Sequence, residues 1–170
     1  MSDDLQIRDE RPGDAPMIHA LVTLAFRDAA HTSHTEPFIV DALRRADQLS
    51  ISQVGEIEGV IVGHVAVSPV WISDGASGWY GLGPISVTPL RQGQGIGSRL
   101  MHTALEALRQ RGAAGCVLLG APAYYGRFGF RADERLVLPD VPPAYFQALS
   151  LDGTMPRGTV RYHPAFEATA

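Results

Sequence analysis

Apolar and polar residues change their period several times along this chain, and the changes mark its elements. Residues 5–8 read as a short strand, and Glu10-Arg11-Pro12-Gly13-Asp14 as a turn. Asp14 can cap a helix that has Pro16 in its first turn. Met17, Leu21, Leu24 and Ala25 then recur at helical spacing as far as Phe26. A second helix is expected over residues 37–46, with Phe38, Ile39, Ala42 and Leu43 inward. The period then shortens. Residues 49–54 and 60–67 are β-rich runs separated by Glu58-Gly59, the pattern of a hairpin. A polar loop over residues 73–78 leads to a third strand over 79–87. Gly83-Pro84 interrupts that strand, because proline has no N–H to give to a ladder, and a bulge or an edge is expected there.

Helical spacing returns over residues 95–111, where Ile96, Leu100, Ala104, Ala107 and Leu108 form one apolar stripe. Gly112 stops this helix, and residues 116–119 read as a short buried strand. Farther on the signals weaken. A short helix is expected over 123–128, a strand over 130–138, another short helix over 143–149 and a last strand over 159–162. Antiparallel strands first, then a helix crossing to a further strand, give an α/β (α+β) fold around one sheet. No repeat, low-complexity tract or linker breaks the run, so residues 1–170 are expected to form a single domain.

Composition narrows the function classes. The content is 45% hydrophobic and 19% charged, which suits a globular chain. The longest apolar runs fall short of eighteen residues, so no membrane-spanning helix is expected. The acidic Met1-Ser2-Asp3-Asp4-Leu5-Gln6 start does not read as a secretory leader. One cysteine, Cys116, leaves no internal disulfide, and the cytoplasm is the expected compartment. A net charge of −4 lacks the basic surplus that nucleic-acid binding requires. All fourteen basic residues are arginine, which removes a Schiff-base lysine and a Walker-type phosphate lysine from consideration.

The sharpest chemical signal is Val87-Thr88-Pro89-Leu90-Arg91-Gln92-Gly93-Gln94-Gly95-Ile96-Gly97-Ser98, between a strand and an amphipathic helix. Its glycines let backbone approach a bulky ligand. The first turn of a helix leaves N–H groups unpaired and carries partial positive charge, which together suit a phosphate. A turn used only for packing is the competing explanation; three glycines at alternate positions favour the anion site. The G-x-G-x-G spacing differs from the G-x-G-x-x-G of dinucleotide-binding folds.

This segment closely resembles the acetyl-CoA signature of the GNAT superfamily, the Gcn5-related N-acetyltransferases: Gln or Arg, two residues, Gly, one residue, then Gly or Ala. Gln92-Gly93-Gln94-Gly95-Ile96-Gly97 matches it in full, with Arg91 just before. The resemblance implies a central, mostly antiparallel mixed sheet, splayed at the cofactor site and flanked by helices. It implies that backbone amides of Gln92, Gly93, Gln94, Gly95, Ile96, Gly97 and Ser98 hold the pyrophosphate of acetyl-CoA. It also implies that Ile85, Ser86 and Val87 run beside the pantetheine arm. Tyr124-Tyr125-Gly126-Arg127-Phe128-Gly129-Phe130 resembles the superfamily's second pattern, a Tyr, three residues and Gly-Phe. Tyr125 takes the position whose hydroxyl protonates the departing CoA thiolate in many members, against the alternative of a core aromatic. Arg127 is weighed between a CoA phosphate and solvent. The run from Gly120 to Phe130 and the ending Tyr162-His163-Pro164-Ala165-Phe166 are similar to the YhbS-like branch of predicted N-acetyltransferases.

The implied activity is direct transfer of an acetyl group to a primary amine of a small molecule or peptide, with neither nucleic acid nor membrane as partner and a homodimer left open. Attack by an amine requires loss of a proton. Many relatives carry a glutamate for this on the strand before the glycine loop, but residues 79–87 contain no carboxylate or histidine. The segment between the first two helices offers Asp28, His31, His34 and Glu36, and Glu36 is the first choice, against a role as helix N-terminal decoration. His31 and His34 are too few for a metal site, so none is expected. Cys116, in an apolar strand, reads as a small hydrophobe and not a nucleophile. Two alternatives remain: a non-catalytic acyl-CoA-binding module, or an acyltransferase using a longer acyl-CoA or an acylated carrier protein.

Overall fold

A computed structural model of the protein describes residues 4–30 and 32–170. The chain folds as two compact units, one of residues up to Val67 with Gly83–Leu105 and Pro164–Ala170, the other of Ser68–Leu82 with Glu106–His163.

In the first unit, β1 (Gln6–Asp9), β2 (Ile51–Ile57) and β3 (Val60–Ile72) pair antiparallel in that order. Glu58 and Gly59 both take positive φ, 51° and 79°, and close the expected hairpin. β3 is five residues longer than the apolar pattern suggested, because Ser68 and Pro69 interrupt the pattern without ending the strand. The next strand, β4 (Trp79–Val87), is anchored on β3 by the Thr88 N–H, which donates to the Val62 carbonyl at 2.8 Å. Helices α1 (Ala15–Phe26) and α2 (Glu36–Arg45) contribute Ile18, Val22 and Val40 to a core completed by Val54 of β2. On α1 the buried residues are Ile18, Leu21 and Val22, whereas Met17 and Leu24 are 55% and 37% exposed. The apolar arc of α1 is wider than one face, so spacing alone placed its centre wrongly. On α2, Ile39 and Leu43 pack against Ala165 and Phe166 of the last 3-10 turn, Pro164–Glu167. Helix α3 (Ile96–Gln110) buries Ile96, Leu100 and Ala104 as expected, together with Met101 and Leu105.

The second unit holds β5 (Gly115–Leu119), α4 (Pro122–Tyr125) with the 3-10 turn Gly126–Phe128, β6 (Leu136–Val137), β7 (Phe146–Ser150) and β8 (Gly158–Tyr162). β5 runs parallel to β4 through Trp79–Gly115, Tyr80–Cys116 and Gly81–Val117, and there the ladder stops although both strands continue. β7 pairs antiparallel with all of β5, and β8 pairs with the end of β3. The sheet is therefore mixed and mostly antiparallel, and the α/β (α+β) class stands.

Two expectations fail here. Residues 130–138 are not one strand, since only an Arg131–Ala148 bridge and the two-residue β6 form. Residues 143–149 are not a helix either; after a 3-10 turn at Pro143–Tyr145, β7 takes the free edge of β5. Edge pairing outweighs local propensity in so short a segment.

The core of this unit gathers Trp79, Val117, Leu136, Phe146 and Val160. A side chain at Gly115 would strike the Trp79 ring, which is buried. Gly115→Ala is expected to destabilise by about 1–3 kcal/mol through overpacking. Thermal denaturation reads this as a lower Tm, and an unchanged Tm would show that Trp79 can move aside.

Candidate active site

β4 ends at Val87, the chain turns through a 3-10 segment at Pro89–Arg91, and α3 begins at Ile96. Gly93 and Gly95 have φ of 79° and 84°, conformations that side chains rarely adopt. A Cβ at either glycine would meet nothing within 4 Å, so the glycines serve backbone shape and not close packing. Residues Gln92 to Gly95 are exposed, while Ile96 is buried and pins the helix start. The Gln92 Nε2–H donates to the Val87 carbonyl at 3.0 Å, which ties the loop to the strand end. The Arg99 N–H donates to the Gly95 carbonyl at 3.1 Å and opens the helical ladder, so the N–H groups of Ile96 and Gly97 precede it. Among the described residues, the N–H groups of Gly93, Gln94 and Gly95 donate to no backbone carbonyl. No carboxylate lies between Val87 and Ser98, and Arg91 and Arg99 flank the turn. This donor set fits a pyrophosphate.

Just upstream, Gly83 has φ 137° and the Gly83–Pro84 bond is cis, while β4 runs on through both residues to Val87. Ile85 and Val87 are partly exposed, whereas Ser86 is buried and its Oγ has no partner among the described residues.

Glu36 opens α2. Its Oε2 accepts a 2.6 Å bond from the Thr32 hydroxyl, and its Oε1 is buried without a partner among the described residues. A cavity of about 100 Å³ lies here, lined by Thr23, Phe26, Arg27, His34, Glu36 and Pro37. Of the other residues weighed for this side, His34 lines that cavity, Asp28 is exposed beside Arg27, and His31 lies outside the described residues.

In the second unit, Tyr125 ends α4. Its ring occupies the space where Gly120 would carry a side chain and meets the Tyr124 ring edge-on, with centroids 4.9 Å apart. Gln147 is buried and donates from Nε2 to the Gly120 carbonyl at 3.0 Å, which fixes the backbone under that ring. Burial pushes the Tyr125 phenol above its ordinary pKa, and Tyr124 adds to the effect, so the hydroxyl keeps its proton at neutral pH. The Arg127 guanidinium lies over the Tyr124 ring at 4.6 Å, a cation–π contact. Cys116 is fully buried, and that burial drives its thiol far above the usual range, as a packing residue requires.

The sequence signature of the acetyltransferase (GNAT) family matches residues 15–130. This chain belongs to the GNAT family. Among other GNAT members, the uncharacterized N-acetyltransferase YhbS of Escherichia coli is 35% identical over 167 residues, 94% of this chain and 97% of its own. The crystal structure of a GNAT family acetyltransferase from Brucella melitensis in complex with acetyl-CoA is 49% identical, with a TM-score of 0.85 over 95% of this chain and 97% of that one. E. coli YhbS in complex with CoA has the same TM-score at 33% identity, covering 98% and 94%. GNAT enzymes are acyltransferases, and the similarity covers nearly the whole chain.

One polar group escaped sequence reading. His64 of β3 is fully buried, and its Nε2 lies 2.8 Å from the Ser52 hydroxyl. That hydroxyl donates to Glu10 Oε1 at 2.7 Å, and Arg44 clamps the same carboxylate through Nε and Nη2 at 2.9 and 2.7 Å. Burial raises the Glu10 carboxyl, but the bonds from Arg44 and Ser52 outweigh it and hold the group below its ordinary pKa. Burial also drives the His64 imidazole down to about 4, with Glu10 opposing and Arg44 assisting. The only sequence signal was a histidine inside the apolar run of residues 60–67.

Gly95→Glu places a strained residue and a negative charge at the turn. The folded variant is expected to show no measurable heat with acetyl-CoA in calorimetry; parent-like affinity would remove the phosphate from this loop.

Proposed function

We propose that the protein transfers the acetyl group of acetyl-CoA directly to a primary amine of a small molecule or peptide. The observation that carries this reading is the turn from Gln92 to Ser98, with its positive-φ glycines and carboxylate-free backbone donors at a helix start. The complexes of the B. melitensis and E. coli relatives with acetyl-CoA and CoA support it. In this reading the pyrophosphate takes the amides of Gln92, Gly93, Gln94, Gly95, Ile96, Gly97 and Ser98, and pantetheine runs beside Ile85, Ser86 and Val87. The whole chain acts as one domain, in the cytoplasm, with no metal.

The chemistry divides into proton movements. An acceptor enters as an ammonium ion and must lose one proton before its lone pair can attack the thioester carbonyl. Glu36, with one oxygen held by Thr32 and the other buried and unpartnered, draws the ammonium and takes that proton. When the carbon–sulfur bond breaks, the thiolate receives the proton of the Tyr125 hydroxyl.

Two variants test these roles. Tyr125→Phe keeps the ring against Gly120 and removes the acid; loss of a general acid costs about 10²–10⁴-fold. It is expected to bind acetyl-CoA as the parent does and to turn over at least about tenfold more slowly. The deficit should narrow with donors whose leaving thiol is more acidic. Turnover equal to the parent would make Tyr125 a packing residue. Glu36→Gln is expected to leave acetyl-CoA affinity unchanged and to lower turnover, with partial recovery at higher pH, where more free amine is present. A parent-like rate and pH profile would confine Glu36 to the helix start. Thiol release with a panel of polyamines, amino acids, aminoglycosides and peptide N-termini identifies the acceptor; binding of acetyl-CoA without release to any amine would indicate a binding module.

A further inference from the structure

Acetylation removes two protons from the nitrogen of an ammonium acceptor, one before attack and one after the nitrogen has bonded to the carbonyl carbon. One ends on the CoA thiol by way of the proposed acid, and the other leaves the protein. The second nitrogen proton needs its own acceptor. We propose that His64 Nδ1 accepts it, directly or through one water, and that Ser52 and Glu10 form the relay that holds the resulting imidazolium. The proposal rests on the acetyl-transfer reading above.

Three observations carry it. First, the direction of the hydrogen bonds fixes the tautomer. The Ser52 hydroxyl donates to Glu10, so its oxygen lone pair faces His64 and accepts the Nε2 proton, 2.8 Å away. Nδ1 is therefore the bare, basic nitrogen. Second, Nδ1 is buried and has no partner among the described residues. Buried polar atoms are nearly always paired, so one left open points to a group that arrives with the ligands. Third, β4 is the neighbour of β3, with the Thr88 N–H bonded to the Val62 carbonyl. The Ser86 carbonyl lies 3.3 Å from where Gly63, the residue before His64, would carry a Cβ. Ser86 Oγ is likewise buried and open, and Ser86 belongs to the stretch proposed to border pantetheine. Two unpaired polar atoms thus lie on adjoining stretches of β3 and β4.

The second proton asks less of its acceptor than the first. An imidazole held to about 4 is neutral at pH 7 and so able to accept a proton. Once the nitrogen has joined the carbonyl carbon its remaining proton is far more acidic, and a weak base suffices. The electron pair of the N–H bond stays on nitrogen as the amide forms, the C–S pair leaves with sulfur, and the proton passes to Nδ1. The Glu10 carboxylate, two hydrogen bonds away, favours the cation; Arg44 on its far side, itself bonded to Asp41, limits how far.

The test uses the intact protein. Gln carries its terminal nitrogen near the position of histidine Nε2, so His64→Gln preserves donation to Ser52 and removes the base. Calorimetry should show acetyl-CoA affinity within about twofold of the parent, with kcat at least about tenfold lower and partly regained as pH rises. Ser52→Ala, which leaves the imidazole and cuts the relay, should lower kcat about threefold or more. A parent-like kcat and pH profile in His64→Gln would overturn the proposal. Nitrogen NMR of the parent supplies a readout independent of any acceptor: Nε2 should carry the proton and Nδ1 should be bare, with the Nδ1 resonance shifting on acetyl-CoA binding. A proton on Nδ1, or a resonance indifferent to the cofactor, would also overturn it, whatever the fate of the acetyl-transfer reading.

Stability has the matching sign. The folded pKa of about 4 lies below the ordinary 6.5, so the unfolded chain binds the extra proton between these values. The histidine's contribution is complete above pH 6.5 and is lost as pH falls through 4. His64→Gln should flatten that part of the Tm–pH curve, and an equal slope in both proteins would show that the fold does not hold His64 below its ordinary pKa.

Discussion

The close approach of a helix to two strands governs the candidate cofactor site. Gly55 and Gly63 have no side chain where α3 lies against β2 and β3; a Cβ at Gly63 would come within 2.9 Å of Leu100 and 3.2 Å of Ile96. That vacancy lets Ile96 and Leu100 bury completely. With its first residue locked in the core, α3 can begin where the exposed loop ends. The open N–H groups of Gly93 to Gly95 are thus held without satisfying one another. Donors left unpaired in water cost little, and donors fixed in space bind an anion without further ordering.

On the opposite face of the same strands a polar string runs through the apolar packing. His64, Ser52, Glu10 and Arg44 come from two strands, the residue after β1 and α2, and each bond in the string is between 2.7 and 2.9 Å. Such a network is favourable only when its members are satisfied, and here every charge is. The open Nδ1 is the exception, and exceptions to local consistency gather at working sites.

How much of this was legible in the sequence depends on how far apart the interacting residues lie. The glycine turn is local: strand, turn chemistry and helix stripe all sit between Val87 and Leu108, and the expected start of α3 was off by one residue. The hairpin of β2 and β3 was equally local. β7 was misread because what makes it a strand is β5, some thirty residues earlier. The polar string was invisible for the same reason: Glu10 and Ser52 are forty-two residues apart, and Glu10 and Arg44 thirty-four. No spacing rule joins them. The buried face of α1 lay between these extremes, since its apolar residues outnumber the positions the core can accept.

Guanidinium groups hold carboxylates in both units of this fold: Arg44 on Glu10, Arg8 on Asp14 and Glu56, Arg135 on Asp133. Guanidinium keeps its proton at any pH the protein meets, and a protonated nitrogen is no nucleophile. A protein that holds a reactive thioester risks acylating its own surface, and ε-amines are the usual casualty. With no lysine in its sequence, this chain offers no side-chain amine that would compete with the acceptor of the proposed reaction. Its charged scaffold presents no lysine amine for a thioester to acylate.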